Sequence, residues 1–325
     1  LKGESKHLFE SSGKVMISGA GSFGNSIYRH FGNRFNFFDY AHMGYIFNVS
    51  DDKTKFMCSY TLIPNEKRDK LNKDVIGIHV FDENLTKLWG FETEMPYSEA
   101  QMDNLGYTLT NDGKVCMLVR VNEGEDEENG TKDKTKRSYH YEVLVYRKGI
   151  SKPKIVVIKL DNYFDAGINI YQDKLGNIMI AGFYSQKIDS RGIDGAYLLT
   201  LDIDKGSVSK ANGGFFEIPS DFIRSFMSDK QIKKTEEKND NFDLALGNLF
   251  IRNIYSTPEG STKIVSEIIF TECHGSGSSM SCTYNFNDVV IFSIKAGKME
   301  WIKKIPKITE SSILDALSIN CLLIG

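Results

Sequence analysis

The sequence has few of the residues and patterns that mark several common protein classes. Five cysteines and six prolines in 325 residues are too few for a disulfide-stapled scaffold or a proline-rich linker. A formal net charge of −3 without a basic stripe argues against a nucleic-acid binder. There is no run of about 18 apolar residues, the length that predicts a transmembrane helix. What remains is a globular chain, in which 41% hydrophobic residues suffice for a sizeable core.

Aromatic residues and a repeated pattern are what the sequence does contain. Aromatics make up 12% of the chain and are mostly Tyr and Phe, which favours strands. A strand, a turn rich in Asp, Gly and Lys, and a second apolar strand recur in four segments. These are Gly44–Tyr60, Gly106–Arg120, Gly167–Gly182 and, more weakly, Phe250–Val265. Asp, Asn and Gly suit such turns because they tolerate positive φ or bond their own backbone.

Each copy is followed by two more strands, so the repeating unit has four. The added pairs are 75–82 with 87–91, 141–146 with 154–160, 195–202 with 214–218, and 288–294 with 298–305. The first three turns lie near Asp51, Asp112 and Asp173. Four strands in a period of about 40–60 residues predict the blades of a β-propeller.

The sequence therefore predicts an all-β fold, namely a β-propeller of four-stranded antiparallel blades with one inserted helix. We expect a single domain over residues 1–325, with clear blades at about 44–306 and partial blades at 1–43 and 307–325. An open arc of blades would expose two apolar faces, so we expect further sequence or a partner to complete the ring. The chain begins at Leu1 without a visible signal peptide, and we expect a processed form or a piece of something longer.

Two insertions interrupt the repeat. Glu123–Arg137 is acidic in its first half and basic in its second, and it predicts a solvated hairpin tip. Pro219–Lys238 predicts a helix, with Ser220 or Asp221 as N-cap, because its apolar residues recur at helical spacing. Those residues are Phe222, Ile223, Phe226, Met227 and Ile232. Such a helix lies against a blade edge or, alternatively, docks a partner.

Motifs that carry chemistry are scarce. Gly19–Gly24 matches the dinucleotide pattern G-x-G-x-x-G, with Asp39 downstream. That site needs a helix opening at the loop within a βαβ unit, and here only strand patterns follow. We interpret it as a flexible glycine-rich loop, with a cofactor loop as the alternative. The six histidines lack metal-binding spacing, and no G-x-S-x-G is present. The sequence thus predicts no catalytic, cofactor-binding or metal-binding residue and no cofactor.

The cysteines fall into two groups. Cys58 and Cys116 lie within apolar strand patterns and are expected to be small buried residues. Cys273 and Cys282 flank His274–Ser281 between two strong strand patterns. That placement suits a disulfide across a hairpin, although the sequence does not fix the register, and unbonded thiols are the alternative.

Three pairs of sequence segments resemble those of a known group of proteins. They are Ile78–Trp89 with Glu94–Tyr97, Ile180–Ser185 with Gly195–Tyr197, and Asn287–Ile291 with Glu300–Pro306. In this order they resemble uncharacterised secreted β-propeller-like proteins of Bacteroidota, over residues 44–307 or so. The resemblance implies export to the periplasm, outer membrane or cell surface, which would favour the Cys273–Cys282 bridge. It brings no established activity and no functional residue.

These observations predict a non-catalytic binding or scaffolding module of the bacterial cell envelope. Its loops and channel face would contact protein partners or a glycan, and no nucleic acid. One alternative is a subunit of a larger outer-membrane assembly. Another is a carbohydrate- or peptide-active propeller enzyme, which convergent carboxylates or a histidine in a partly desolvated pocket would favour.

Overall fold

Strands dominate the chain. The computed structural model describes residues 5–16, 44–63, 72–123, 139–160, 163–186, 192–228, 232–233, 246–274 and 281–311. The prediction of an all-β fold is confirmed, and the helix α1 (Ser220–Arg224) spans little more than one turn. Within those ranges, no helix is both long enough and apolar enough to cross a membrane.

Most strands belong to four antiparallel sheets in which strands follow one another in chain order. Sheet 1 contains β1 (Tyr45–Val49), β2 (Lys55–Thr61), β3 (Val75–Asp82) and β4 (Lys87–Glu94). Sheet 2 contains β5 (Met102–Leu109), β6 (Val115–Asn122), β7 (Tyr139–Arg147) and β8 (Ile150–Ile158). The predicted four-stranded antiparallel unit is therefore confirmed in both.

The second half of the chain repeats the plan with small additions. Sheet 3 contains β9 (Phe164–Gln172), β10 (Ile178–Ser185), β12 (Gly195–Asp202) and β13 (Ser207–Glu217). Sheet 4 contains β15 (Leu249–Ser256), β16 (Ser261–His274), β17 (Ser281–Lys295) and β18 (Lys298–Ile305), and β19 (Thr309–Ser311) pairs with β17. The short strands β11 (Gly192–Ile193) and β14 (Leu246–Gly247) pair with each other.

The first hairpin of every sheet closes with the same turn. A side-chain oxygen at its first residue accepts a hydrogen bond from a backbone N–H four or five residues later, at 2.7–3.2 Å. The accepting residues are Ser50, Thr110, Asp173 and Thr257. Each turn also holds one residue at positive φ, namely Lys53, Gly113, Gly176 and Gly260. The side-chain bond replaces a ladder bond that the turn removes, which explains the Ser, Thr and Asp residues of the repeat.

Successive sheets pack face to face. The first strands β1, β5, β9 and β15 contact one another in order, and so do the last strands β4, β8, β13 and β18. Buried apolar cores fill the three interfaces, with Met57 and Val115 between sheets 1 and 2, Leu118 and Ile180 between sheets 2 and 3, and Phe183 with Phe292 between sheets 3 and 4. In sheets 2 to 4 we call the face turned towards the preceding sheet the back face. In sheet 1 the back face is the one turned away from sheet 2.

The four first turns also meet at one end of the molecule. The backbone N–H of Asp52 donates to Asn111 Oδ1, in the first turn of sheet 2, at 3.2 Å. The backbone N–H of Asn111 donates in turn to Gln172 Oε1, at the end of β9 in sheet 3, at 2.8 Å. The Lys174 N–H donates to Ser256 Oγ at 3.2 Å. Lys174 Nζ also lies 2.7 Å from Asp51 Oδ1, which joins sheet 3 to sheet 1 past sheet 2. The first hairpins of sheets 1 and 3 therefore converge.

Each sheet is preceded in the chain by an aromatic residue. The side chain of that residue packs on the back face of the sheet or in the core between that sheet and the preceding one. We call this set the linker aromatics: Phe9, Tyr97, Tyr163 and Phe222. Tyr163, for example, lies 4.4 Å from the ring of Tyr184 and 4.6 Å from that of Phe215, between ring centres. The repeat therefore includes the connections between sheets as well as the strands.

The helix prediction needs correction. Pro219–Lys238 was expected to form one helix, but its described residues are helical only at Ser220–Arg224 and at 232–233. Pro219, rather than Ser220 or Asp221, occupies the N-cap of α1, without a side-chain hydrogen bond. Backbone bonds tighten to three-residue spacing at Phe226 and Met227, and the Ser225 hydroxyl donates to the Phe222 carbonyl. The apolar spacing instead serves packing, since Phe222 and Phe226 contact the core between sheets 3 and 4. Residues 229–231 and 234–245 lie outside the described ranges.

Candidate functional site

The first group of polar side chains lies on the back face of sheet 1. Strand register places Tyr60, Gly77 and Glu92 side by side, and His79 next to Gly90. Because glycine has no side chain, the Tyr60 ring crosses Gly77 and its hydroxyl donates to Glu92 Oε1 at 2.7 Å. The His79 ring covers Gly90 in the same way. The two glycines thus form a floor on which both rings lie.

Residues 5–16 cover these rings. Phe9 stacks on His79 with ring centres 4.1 Å apart and an interplanar angle of 14°, and it also stacks on Tyr60 at 5.6 Å. The backbone N–H of Ser12 donates to Glu92 Oε1 at 2.9 Å, and the Ser12 hydroxyl bonds the other oxygen. We call the arrangement of Phe9, Tyr60, His79 and Glu92 the Phe9 site.

The protonation states in the Phe9 site follow from its hydrogen bonds. Since Tyr60 donates to Glu92, it accepts from His79 Nε2 at 3.1 Å, and the buried Nδ1 is left without a hydrogen-bond partner. Burial lowers the pKa of His79 to about 4. Burial, then the bond to Glu92, raises the pKa of Tyr60. Burial alone would raise the pKa of Glu92, but hydrogen bonds from Ser12 and Tyr60 lower it. At neutral pH none of the three is poised to transfer a proton.

The second group lies near the start of β7, on the back face of sheet 2. His140 Nδ1 is 2.8 Å from Glu123 Oε1, and His140 Nε2 is 3.0 Å from Glu142 Oε1. The linker aromatic Tyr97 donates to the buried Glu142 carboxylate at 2.9–3.0 Å. Burial and the bond to Glu142 raise the pKa of Tyr97 to about 12, so it remains a donor.

The third group is a buried ion cluster in sheet 4. Register slips by one residue in β15 between Ile251 and Asn253, which places Arg252 at a β-bulge. This bulge lets the Arg252 guanidinium lie 2.6–2.7 Å from Glu267 Oε2, and Lys307 Nζ lies 2.7 Å from Oε1. Glu267 is fully buried and both of its oxygens are in ion pairs. The cluster ties β15, β16 and the segment after β18 together.

A serine, a lysine and a glutamate also meet in sheet 4. Lys263 donates to the Ser293 hydroxyl, which donates to Glu300 Oε2 at 2.7 Å, and Ser261 donates to the same oxygen at 3.0 Å. A lysine beside a serine is one way to activate a nucleophile. Ser293, however, is fully buried and already donates to a carboxylate, so its hydroxyl serves cross-strand bonding.

The predicted disulfide pair is placed only by its backbone. Cys273 on β16 lies directly opposite Cys282 on β17 in the strand register. Directly opposed residues in an antiparallel pair have Cα atoms about 4.5–5.5 Å apart, within the span of a disulfide. The register is therefore compatible with the bridge, which stays a prediction. Cys58 and Cys116 are buried free thiols, and burial raises the pKa of each to about 12.

Other sequence features fall in different places. Gly19–Gly24 and almost all of Glu123–Arg137 lie outside the described residues. Asp202 caps a tight turn by accepting from the Lys205 N–H at 2.8 Å, as expected for a turn carboxylate. Among the described residues, no three His, Cys, Asp or Glu side chains are grouped so as to hold a metal ion.

Sequence reasoning missed the partners in these groups. His79 and His140 lie within strand segments, but nothing in the local sequence indicated that Phe9 stacks on His79 or that Tyr97 bonds the carboxylate of Glu142, which His140 contacts. The available signal was an aromatic residue shortly before the first strand of a repeat, as in Glu94–Tyr97 before β5. Arg252 and Glu267 carried the weaker signal of two opposite charges inside apolar strands.

Comparisons with known proteins add little. No protein-family model and no curated protein matches the chain. It is similar to parts of several solved structures, including hydrazine synthase of Kuenenia stuttgartiensis (10% identity, 67% of this chain and 54% of that one, TM-score 0.31). Others are cobalt-substituted apocarotenoid oxygenase of Synechocystis (6%, 82% and 64%, 0.35) and prolyl oligopeptidase B of Galerina marginata (9%, 79% and 35%, 0.32). The chain spans less than two thirds of each, and likenesses this weak support no functional argument.

Proposed function

We propose that the four sheets are blades of a β-propeller and that the chain is a non-catalytic binding or scaffolding module of the bacterial cell envelope. The contact between Lys174 and Asp51 supports the propeller arrangement. Packed sheets are about 10 Å apart, so a linear stack would separate the turns of sheets 1 and 3 by about 20 Å. A Lys–Asp pair does not span that distance. First strands that fan around an axis bring the turns within its reach.

The Phe9 site supports the binding proposal, because it is an example within this chain of a sheet face that holds an added segment. Its histidine is neutral, its tyrosine protonated and its glutamate ionised, and all three side chains engage a neighbouring segment of the chain. Rings on a glycine floor, with a carboxylate accepting a backbone N–H, are suited to holding an extended segment with an aromatic side chain. Proteins use contacts of this kind to bind peptide segments. An aromatic ring packs on a sheet in a similar way where Tyr97 and Tyr163 contact the following sheets.

The ligand we propose is an envelope protein or glycan, contacted by the loops at the end of the molecule opposite the first turns. The proposal of export, to the periplasm or the cell surface, rests on the sequence resemblance. A propeller commonly presents its variable loops at one end while tight turns close the other. The interlocked first turns fit the closed end.

Binding without turnover is the direct test. The full chain is incubated with purified peptidoglycan sacculi, lipopolysaccharide and envelope protein extract, and both co-sedimentation and mass spectra of the soluble products are recorded. We expect saturable binding to one preparation with no new product. Time-dependent release of glycan or peptide fragments would instead favour a carbohydrate- or peptide-active enzyme.

Exposed aliphatic residues on outer strands favour a second candidate, a subunit of a larger assembly. Ile155 and Val157 on β8 are 42% and 46% exposed, and Ile308 beyond β18 is 83% exposed. Apolar side chains on an edge strand are a common docking feature. If this candidate is correct, Val157→Lys will release a partner that co-purifies with the tagged chain, while Leu175→Lys, at an exposed turn, will not.

A further inference from the structure

His140 faces a carboxylate oxygen at each of its two ring nitrogens. The distances, 2.8 Å to Glu123 and 3.0 Å to Glu142, are those of hydrogen bonds. A carboxylate only accepts, and a neutral imidazole has a single N–H. Both bonds exist together only when His140 is an imidazolium, whichever way the ring is placed.

The surroundings of His140 favour its positive charge. Glu123 at the end of β6 and Glu142 on β7 supply two negative charges, and Tyr97 from the β4–β5 connection is a neutral donor to Glu142. Arg120 on β6 lies on the opposite face of sheet 2 from His140, since it is Val121 that pairs with His140, and it is engaged there with Asp103 on β5 at 2.7 Å and with the Tyr139 ring. Burial would lower the pKa of His140, but bonds to Glu142 and Glu123 raise it.

His140 also joins three parts of the fold. Through Glu123 it holds the end of β6 to the start of β7, where Asn122 pairs with Tyr139. Through Glu142 it reaches Tyr97, in the connection between sheets 1 and 2. Loss of its proton would place a nitrogen lone pair against a carboxylate oxygen at one of these contacts. The exposed partner, Glu123, is the one free to move away.

We propose that His140 is a pH-sensitive clasp, which holds the ends of β6 and β7 together when protonated and releases Glu123 when it loses its proton. The direction follows from linkage. A histidine whose pKa is raised by folding stabilises the structure fully below its unfolded pKa of about 6.5. The stabilisation is lost as the pH rises through the higher folded pKa. This use of the clasp rests on the proposed export, because a change in the pH outside the cytoplasm would then act directly on His140.

The test combines histidine titration with hydrogen exchange on the full chain. NMR follows the ring protons of His140 in the wild type and in Glu123→Gln, with the ordinary histidine value of about 6.5 as the reference. Exchange of the amides at 121–123 and 139–141, corrected for intrinsic rates, is measured on both sides of the titration in the wild type and in His140→Gln. His7→Gln, which loses another histidine near a glutamate, is the matched control.

We expect His140 to titrate above the ordinary histidine value of about 6.5, Glu123→Gln to lower its pKa, and the amides to exchange several-fold faster once His140 is deprotonated. His140→Gln should exchange fast at every pH, while His7→Gln should behave as the wild type. A His140 that titrates at or below about 6.5, or an exchange step that persists in His140→Gln, would overturn the proposal. Because Glu123 is exposed, its substitution should not prevent folding.

Discussion

Two glycines of sheet 1 are required by the rings that lie on them. A Cβ atom at Gly77 would lie 2.1 Å from Tyr60 Cζ, and one at Gly90 would lie 2.3 Å from His79 Nδ1. Both distances are far below van der Waals contact, and neither ring has room to lift because Phe9 stacks above them. These positions therefore exclude side chains through packing, since their backbone is not in the left-handed region.

We predict that Gly77→Ala and Gly90→Ala each lower the free energy of unfolding by about 1–3 kcal/mol, the usual cost of overpacking. Urea denaturation followed by circular dichroism measures it. Gly13→Ala is the control, because its Cβ would meet only Leu62 at 3.8 Å. Equal effects at Gly13 and Gly77 would contradict the account of the glycine floor.

His79 should report whether Phe9 covers it. Burial lowers its pKa to about 4, so its contribution to stability is present above pH 6.5 and is lost as the pH falls towards 4. Phe9→Ala admits water to the ring, and we expect the pKa of His79 to rise towards 6.5 in an NMR titration. Leu175→Ala, at an exposed turn, should leave it unchanged. A wild-type His79 that titrates near 6.5 would show that the ring is not buried.

Glu267 is a fully buried charge, and such a charge is costly to disturb. Its two oxygens satisfy Arg252 and Lys307, and Glu267→Gln would leave excess positive charge in a buried site. We expect a loss of about 3–5 kcal/mol in the free energy of unfolding, as for a broken buried pair. Glu94→Gln, which breaks an exposed contact to Lys73 at 3.9 Å, should cost less than about 0.5 kcal/mol. Comparable losses in the two variants would mean that Glu267 is solvated.

At the scale of elements, the connections between sheets stabilise the fold as the strands do. Tyr97 illustrates this, because its hydroxyl satisfies the buried carboxylate of Glu142 on the following sheet. Tyr97→Phe retains the ring and removes that donor. We predict a loss of about 1.5–3 kcal/mol in the free energy of unfolding, the value of a hydrogen bond to a charged group.

Tyr255→Phe is the control for that prediction, since Tyr255 is an exposed tyrosine on β15. It should change the free energy of unfolding by less than about 0.5 kcal/mol. The charge of His140 depends on pH in this range, whereas the Tyr97 hydroxyl stays protonated. Thermal denaturation of both variants at pH 6 and pH 8 therefore separates the contribution of Tyr97 to stability from that of His140. A neutral Tyr97→Phe would contradict a structural role for the linker aromatics.

How far the sequence predicts these elements depends on the range of the interactions involved. The turns at Thr110 and Asp173 were predictable because the capping side chain and the N–H it binds are four residues apart. Strand alternation likewise predicted the four-stranded units. The helix prediction was confirmed over Ser220–Arg224 but not at 225–228, where the helical spacing of Phe222 and Phe226 reflects packing on the core between sheets 3 and 4 rather than a continuous helix. The two opposite charges of Arg252 and Glu267 inside apolar strands were a weak signal, but their pairing could not be predicted, since it depends on the bulge in β15.

At the scale of the whole molecule, the arrangement of the sheets decides the account. The first strands contact one another in order, and so do the last strands, which fits either a linear stack or a fan. The pair of Lys174 and Asp51 favours the fan that we propose, because it brings the first turns of sheets 1 and 3 together. The binding proposal depends on the fan, since only a fan has an axis around which loops converge.

Distances between spin labels test the fan most directly. One pair of labels, attached by a chemistry that spares the native cysteines, replaces Lys53 and Leu175 at the first turns of sheets 1 and 3. A second pair replaces Leu85 and Lys205 at the last turns of the same sheets. The account predicts that electron paramagnetic resonance gives a much shorter distance for the first pair than for the second. Two equal distances of about 20 Å, as expected for sheets stacked in a line about 10 Å apart, would contradict it.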